Sequence, residues 1–421
     1  MKNSPIAGVT LMAGSSQNST LVRYALKGLE QCWLPEHGRW SHIYHLDGRL
    51  SPNESLPYSD VFYTLNVLLG MSRIGEVPSG INLSEVFYRS AVQLTALPVP
   101  KYALGMALWA AAELGFEMPE QVRRIVRALL TDQARWKTFR AQDLGMLLTG
   151  VVAQARAGDR EWTRFADPLY RFLEERFRTG SELFFDAPFG LRRRFASFAT
   201  QVYLSIACYH YGEYTGASSA LAIASACVRK LIALQGPQGE WPWFFDAASG
   251  RVLDFYEVYS VHQYGMAPAL LEWAEHYQVP GARNALIKGF NWALGDNQLG
   301  RSMLVPELGL TIRSQSRKHE LTTKVPRMLR AIKNAYVGGE SGLIESSGIG
   351  LRLECRSYEL GWMLWSFARR CDLRELTYNS AFGNPDTAAT RVPSASDSTR
   401  RLVGCAATTA LLRLDGTVRR T

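Results

Sequence analysis

Apolar residues recur at i, i+3, i+4 and i+7 along most of the chain, the period of a helix with one buried face. RRIVRALLTDQ and SALAIASACVRKLIAL carry the pattern most clearly. Read this way, the sequence predicts helices over about 19–33, 58–74, 82–97, 101–115, 119–132, 141–157, 160–177, 195–214, 217–234, 258–277, 281–295, 324–336 and 357–371. Two kinds of connection alternate between them. Short Gly/Pro turns such as GFEMPEQ, AGDREW, TGASS and VPGAR make antiparallel helical hairpins. Longer loops carry aromatic, strand-like runs such as WPWFFD and ELFFD.

The longer loops repeat. A Gly-rich aromatic hairpin from Gly239 to Val252 runs into a helix that starts near Tyr259. Weaker copies are GRWSHIYHLDGRL before PYSDVFYTLNVLLGMSRIG, SELFFDAPFG before RRRFASFATQVYLSIACYHYG, and SGLIESSGIGLRLE before CRSYELGWMLWSFARR. Four helices share a finer signature in KYALGMALW, AQDLGMLLT, HQYGMAPALL and YELGWMLWS. Each places a polar or aromatic residue two or three positions before a glycine, then Met or Trp, then a Leu-rich run. Glycine costs roughly 1 kcal/mol against alanine inside a helix, so four at one register predict close approach to a neighbouring helix.

These features predict an all-α fold: a toroid of helical hairpins with short β-hairpin loops on one face. Repeats of about 40 to well over 50 residues fit a closed ring with loop insertions better than a regular solenoid. The expected organisation is a flexible N-terminus over 1–18, one domain over 19–376, and a loosely structured or disordered tail over 377–421, where helical patterning fades into Ser, Thr, Ala and Arg.

Composition sharpens the picture in a few places. With 47% hydrophobic and 20% charged residues, the 421-residue chain has ample material for a core. Eleven Trp, eighteen Tyr and eighteen Phe are enough to line a concave site as well. The net charge of +9 sits in local clusters rather than in a stripe interleaved with aromatics. That pattern predicts a solvated surface and no nucleic-acid partner, with an anionic ligand or membrane surface left open. Six cysteines without a CxxC pair suit a reducing, cytoplasmic setting. The first sixteen residues read as a frayed end rather than a signal peptide. No apolar run reaches about 18 residues, so no membrane span is predicted.

The densest candidate chemistry lies between Glu240 and His262. Trp241 and Trp243 are candidate stacking platforms. Tyr259, His262 and Gln263 share a helix face by i,i+3 and i,i+4 spacing, and His262 is a candidate general acid or base. A second set is Arg356, Tyr358 and Glu359. Asp143, Gln263 and Glu359 each stand two residues before a glycine, an offset that predicts a common axis for them. Paired carboxylates on separate helices suit glycoside chemistry, which makes Asp143 and Glu359 candidates for proton transfer beside His262. The competing role for such acids is capping in the first helical turn. A third set is Tyr58, Asp60 and Tyr63, opening the second helix. Asp186 and Asp246 each follow Phe-Phe and read as turn residues. HIYH, with His42 and His45, reads as strand, where i and i+3 point to opposite faces, so no metal is predicted. HExxH, Walker, GxGxxG and Gly-x-Ser-x-Gly motifs are absent, and no cofactor is predicted.

The unit GEWPWFFDAASGRVLDFYEVYSVHQYGMAPALLEWAEHY resembles the (α/α)6-toroid superfamily, which includes six-hairpin glycosidases and N-acylglucosamine 2-epimerase-like proteins. It has that superfamily's Gly-x-Trp hairpin, Asp-x-x-x-Gly turn and inner helix opening on a polar residue. The resemblance implies a carbohydrate-active enzyme that works on a sugar or polysaccharide by hydrolysis, elimination or epimerisation. It also implies that the inner-helix N-termini and the loops before them supply the site. Within this chain, Arg356 or Tyr259 is the candidate to orient an acidic or hydroxyl group of the substrate. Gln235, Gly239 and Trp241 also fit one copy of the Q-x3-G-x-W repeat of terpene cyclases and prenyltransferases. That leaves isoprenoid chemistry and a non-catalytic scaffold as alternatives. A cavity lined by aromatics without convergent carboxylates is the mark expected of the former.

Overall fold

The computed structural model describes residues 20–74, 78, 80–321, 325–339 and 341–370. The expected terminal segments over 1–18 and 377–421 lie outside the described residues. The chain forms α1 (Thr20–Cys32), α2 (Pro57–Met71), α3 (Leu83–Ala96), α4 (Lys101–Leu114), α5 (Glu120–Thr131), α6 (Ala141–Arg156), α7 (Thr163–Arg176), α8 (Phe198–Thr215), α9 (Ser218–Leu234), α10 (Ala267–His276), α11 (Ala282–Leu294), α12 (Val325–Tyr336) and α13 (Ser357–Phe367).

Six of these make a closed inner ring. α2 packs on α4, α4 on α6, α6 on α8, α8 on α10, α10 on α13, and α13 returns to α2. The outer layer is α1, α3, α5, α7, α9 and α11, and α12 is an addition between the last two hairpin partners, packed on the loop side. The burial pattern follows the layering. In α13, Ser357 and every residue from Glu359 to Phe367 are buried, whereas α5 buries only Val122, Val126, Leu129 and Leu130. The core lies between the two rings, and the α/α toroid expected from the periodicity is the fold observed.

The marked glycines sit where inner helices meet. A β-carbon on Gly145 of α6 would stand 2.9 Å from Tyr203 of α8. On Gly361 of α13 it would lie 2.7 Å from Asn66 Oδ1 and 2.9 Å from Val67 Cα, both on α2. Gly105 of α4 meets the backbone of Met146 and Leu147 on α6, and Gly265 meets Trp362. Each glycine thus admits the next inner helix round the ring in the same rotational sense, and the helix penalty is the cost of that approach.

Short strands decorate the segments that precede inner helices. β1 (Trp33–Leu34), β2 (Arg39–Trp40), β3 (Ile43–His45) and β4 (Asn53–Glu54) precede α2. β5 (Phe195–Ser197) precedes α8, while β6 (Phe244–Asp246), β7 (Arg251–Asp254) and β8 (Val258–Tyr259) precede α10. β9 (Leu304–Val305), β10 (Leu310–Thr311), β11 (Ser314–Arg317), β12 (Ile349–Arg352) and β13 (Glu354–Cys355) precede α13. Three three-stranded sheets result, ordered β13-β3-β4, β5-β6-β7 and β12-β11-β8.

Two helix starts differ from the periodic reading. Residues 195–197 pair with β6 instead of opening α8, which begins where Ser197 caps Thr200 N at 3.2 Å. Residues 258–259 pair with β11, and His262–Met266 form a turn of π-helix before α10. Pro268 has no N–H to give the carbonyl four residues back. One residue earlier, Ala267 N reaches five residues back to His262 O, the wider bond that defines the π turn. Asp246 takes its expected turn role, accepting from Ala248 N at 3.1 Å and Ser249 Oγ at 2.8 Å.

Candidate active site

The N-terminal ends of all six inner helices, or the turns that open them, meet in one cavity of about 200 Å³. α2 contributes Phe62 and Tyr63, α4 Tyr102, α6 Gln142, α8 Ala199 and Tyr203, the π turn before α10 His262 and Met266, and α13 Tyr358. Tyr259 and Arg313 complete the wall from the loops. The position that faces the axis is three residues before the marked glycine: Tyr102, Gln142, His262 and Tyr358 all stand there. The position two before, which carries Asp143, Gln263 and Glu359, turns into the wall. A larger cavity of about 550 Å³ lies against α9 and the loop from Arg178 to Phe184, and no inner-helix start reaches it.

His262 packs between Phe198 and Tyr259, with ring centroids 4.8 and 5.2 Å away. Burial and the nearby Arg313 push its pKa down to about 3, so it faces the cavity as a neutral imidazole. Its Nδ1 is buried without a partner. Burial pushes the Tyr102 phenol up to about 12 and raises Tyr203, Tyr259 and Tyr358 as well, which keeps these hydroxyls protonated. The wall therefore offers phenol donors and one neutral nitrogen base.

Behind the wall runs a chain of paired charges. Arg313 binds Glu359, and its Nε lies 3.2 Å from Glu354. Its guanidinium sits 5.0 Å from the Tyr259 ring centroid. Arg356 donates to Tyr63 Oη at 2.9 Å and to Glu354 at 3.0 Å, and meets His42 Nε2 at 3.0 Å. Burial and the Arg356 charge push His42 down to about 4, so it serves as the acceptor there. Glu359 is fully buried and its pKa is raised by desolvation against the pull of Arg313; Tyr264 Oη donates to it at 2.8 Å. On the other flank Glu257 accepts from Tyr259 Oη at 3.2 Å, Arg327 at 2.7 Å and Arg352 at 2.8 Å. Glu257 is buried, and the two arginines and Ser314 hold it down to about 2.

Of the residues singled out in the sequence, His262, Tyr259, Tyr358 and Tyr63 meet in the cavity, with Arg356 directly behind Tyr63. Asp143 does not face it. Its two oxygens accept the N–H groups of Arg140 and Tyr102, each at 3.0 Å, capping α6 and tying it to α4. Asp60 likewise caps α2 through Leu56 N at 3.0 Å and pairs with Arg39. Tyr58 is exposed. Trp241 is buried against Phe198, centroids 5.2 Å apart. Gln263 accepts from Trp241 N at 3.2 Å and donates to Gly239 O at 2.9 Å, which anchors the hairpin to the helix. Trp243 stacks on Phe244 at 4.3 Å beneath Arg327, in a cluster with Leu253 and Ala331. Tyr102 and Gln142 were missed in the sequence; the only mark they carry there is the glycine offset they share with His262. Arg313 stands between two short strands and carries no sequence mark.

No protein-family model and no curated protein matches the chain. Solved structures do. The cellobiose 2-epimerase from Bacillus thermoamylovorans aligns with a TM-score of 0.54 at 12% identity, over 83% of this chain and 99% of its own. The unsaturated glucuronyl hydrolase specific for heparin aligns at 0.53 and 12%, over 84% and 97%. The GH76A α-1,6-mannanase of Salegentibacter aligns at 0.51 and 12%, over 83% and 97%. All three have the α/α toroid as their shared frame with this chain.

Proposed function

We propose that the protein is a carbohydrate-active enzyme that moves a proton on a sugar ring, by epimerisation or elimination, with His262 as the base. One observation carries this reading: His262 shares its cavity with Tyr63, Tyr102, Tyr203, Tyr259 and Tyr358, and no carboxylate lines that wall. A two-carboxylate hydrolysis needs an acid and a base or nucleophile flanking the scissile bond. Asp143 is engaged by backbone N–H groups and Glu359 by Arg313 and Tyr264. The hydroxyls of Tyr63, Tyr102, Tyr203 and Tyr358 donate to ring and exocyclic oxygens, while Tyr259 keeps its proton on Glu257 and offers its ring face; Gln142 adds an amide. Arg313, held over Tyr259, supplies positive charge beside an oxygen that gains negative charge as the proton leaves. The toroid neighbours named for sugar epimerisation and glycoside cleavage support the substrate class.

The aromatic wall without a facing carboxylate also favours a second reading, isoprenoid chemistry. Five phenols, an arginine and an amide make that wall too polar to guide a carbocation, and the sugar reading accounts for them all.

The test is turnover of neutral and uronate-containing sugars in D2O, followed by NMR for deuterium at a ring carbon and by ultraviolet absorbance for an unsaturated product. The expected result is one of those signals, reduced about 10²- to 10⁴-fold in His262→Ala. Release of reducing ends without deuterium uptake, unchanged in His262→Ala, would overturn it. Turnover of an isoprenyl diphosphate with no activity on sugars would support the second reading.

A further inference from the structure

α12 is amphipathic in the reverse sense for a surface helix. Arg327, Arg330 and Asn334 point inward. Arg327 is buried on Glu257 at 2.7 Å, Arg330 reaches Asp254 at 3.2 Å and also pairs with Glu320, and Asn334 donates to Leu253 O at 2.9 Å. Its large apolar residues point outward, and only Ala331 and Ala335 turn in. Met328, Leu329, Ile332 and Tyr336, with Val337 just beyond, are between 40% and 78% exposed. Their spacing of i, i+1, i+4 and i+8 lays them in one stripe. Such a stripe gains little from folding and marks a contact surface when it is contiguous.

The surroundings of the stripe are basic. Residues 325–339 contain no acidic residue, and Lys333 is exposed beside Ile332. At the far end the guanidinium of Arg194, itself paired with the buried Asp246, lies 5.2 Å from the Tyr336 ring centroid, so the free positive charge there comes from its neighbours. Arg194 ends a 3-10 turn, Leu191–Arg194, that carries two more arginines and opens on Leu191, 82% exposed. An apolar ridge edged by Lys and Arg complements a lipid surface with anionic headgroups: the side chains enter the acyl boundary while the cations stay at the phosphates.

We infer that α12 is a membrane-docking helix, which holds the protein peripherally on an anionic lipid surface through Met328, Leu329, Ile332 and Tyr336. The inference is independent of the reaction catalysed. It places a membrane on the loop side of the toroid: α12 packs on β7, and its Arg327 shares Glu257 with Tyr259 of the cavity wall.

The experiment is co-sedimentation of the full chain with phosphatidylcholine vesicles made with and without phosphatidylglycerol. The expected result is binding to the anionic vesicles that weakens with salt, with little binding to the neutral ones. The double variant Leu329→Ser, Ile332→Ser changes only exposed side chains and is expected to bind about tenfold more weakly or worse. Lys333→Glu is expected to weaken binding several-fold and to lower its salt dependence. Unaltered melting temperatures check that the variants fold. The inference is overturned if the wild type pellets no more with anionic vesicles than without vesicles, or if the double variant binds as the wild type does. It is also overturned if light scattering finds a dimer that the double variant dissociates while vesicles are not bound, which gives the face to a second copy.

Discussion

At the start of α6, Asp143 is the third helical residue and stands two before a glycine that admits the next inner helix; at the start of α13, Glu359 occupies the same place. Asp143 receives two backbone N–H groups and closes its own helix end. Glu359 leaves its helix end alone and meets Arg313, Tyr264 and Thr311. The difference lies in what precedes each helix. α6 follows the short 3-10 turn Gln133–Thr138, and its acid takes backbone N–H groups as hydrogen-bond donors, with Lys101 and Arg140 acting only through their charge. α13 follows the long segment that carries β9 to β13, and Arg313 comes with it. The inner wall supplies equivalent positions, and the loops decide what each position does.

The contrast breaks most severely at Arg313. Arg313→Met leaves Glu359 buried without its cation, an expected loss of about 3–5 kcal/mol in urea unfolding. Methionine at both Arg313 and Glu359 is expected to recover most of it. The pH dependence has a definite sign. Burial already raises the Glu359 pKa, and losing the cation raises it further. The folded variant then binds a proton over a pH range where the unfolded chain has released its own. Its stability accordingly improves as the pH falls into that range, and its deficit is largest at neutral pH.

A second measurement extends the contrast to the opposite end of the wall. His210, near the end of α8, packs against Trp109 and Trp273 with both ring nitrogens unpartnered. Burial pushes it down to about 3. Between that value and the unfolded pKa of about 6.5 only the unfolded chain binds the proton, so stability falls with acidification by up to about 1.4 kcal/mol per pH unit. His210→Phe is expected to gain about 1–3 kcal/mol at neutral pH and to flatten the acid limb of the melting curve.

The smallest effect belongs to Asp143. Asp143→Ala removes a cap and is expected to cost about 0.5–2 kcal/mol, with turnover retained and no recovery on acidification. A loss of turnover on the scale of His262→Ala would put Asp143 in the chemistry after all.

The toroid was legible because its two signals follow from geometry. Four of the six inner-helix contacts carry a marked glycine, and hairpins that gather on one face need turn residues at matched places. The choice between neighbouring offsets was not legible. Asp143 and Gln142 differ by about 100° on a helix, and chemistry favoured the carboxylate while the axis took the amide. Trp241 and Trp243 read as platforms because aromatic composition does not distinguish a sugar-facing ring from one buried under its own hairpin. Arg313 was out of reach for a different reason: it meets Glu359 46 residues later in the chain, through a sheet whose register comes from tertiary pairing.

The ring closes between its earliest and latest members. α13 packs on α1 and α2, β13 pairs with β3, and Tyr24 Oη donates to the carbonyl of Leu310, 286 residues away. During synthesis at about 5–20 residues per second, the nascent chain therefore presents two unfinished edges, on α2 and α10, for many seconds after their helices leave the ribosome. High contact order slows the final joining as well. Chaperone dependence in this protein should concentrate on that interval, when most of the wall exists and nothing yet joins its ends.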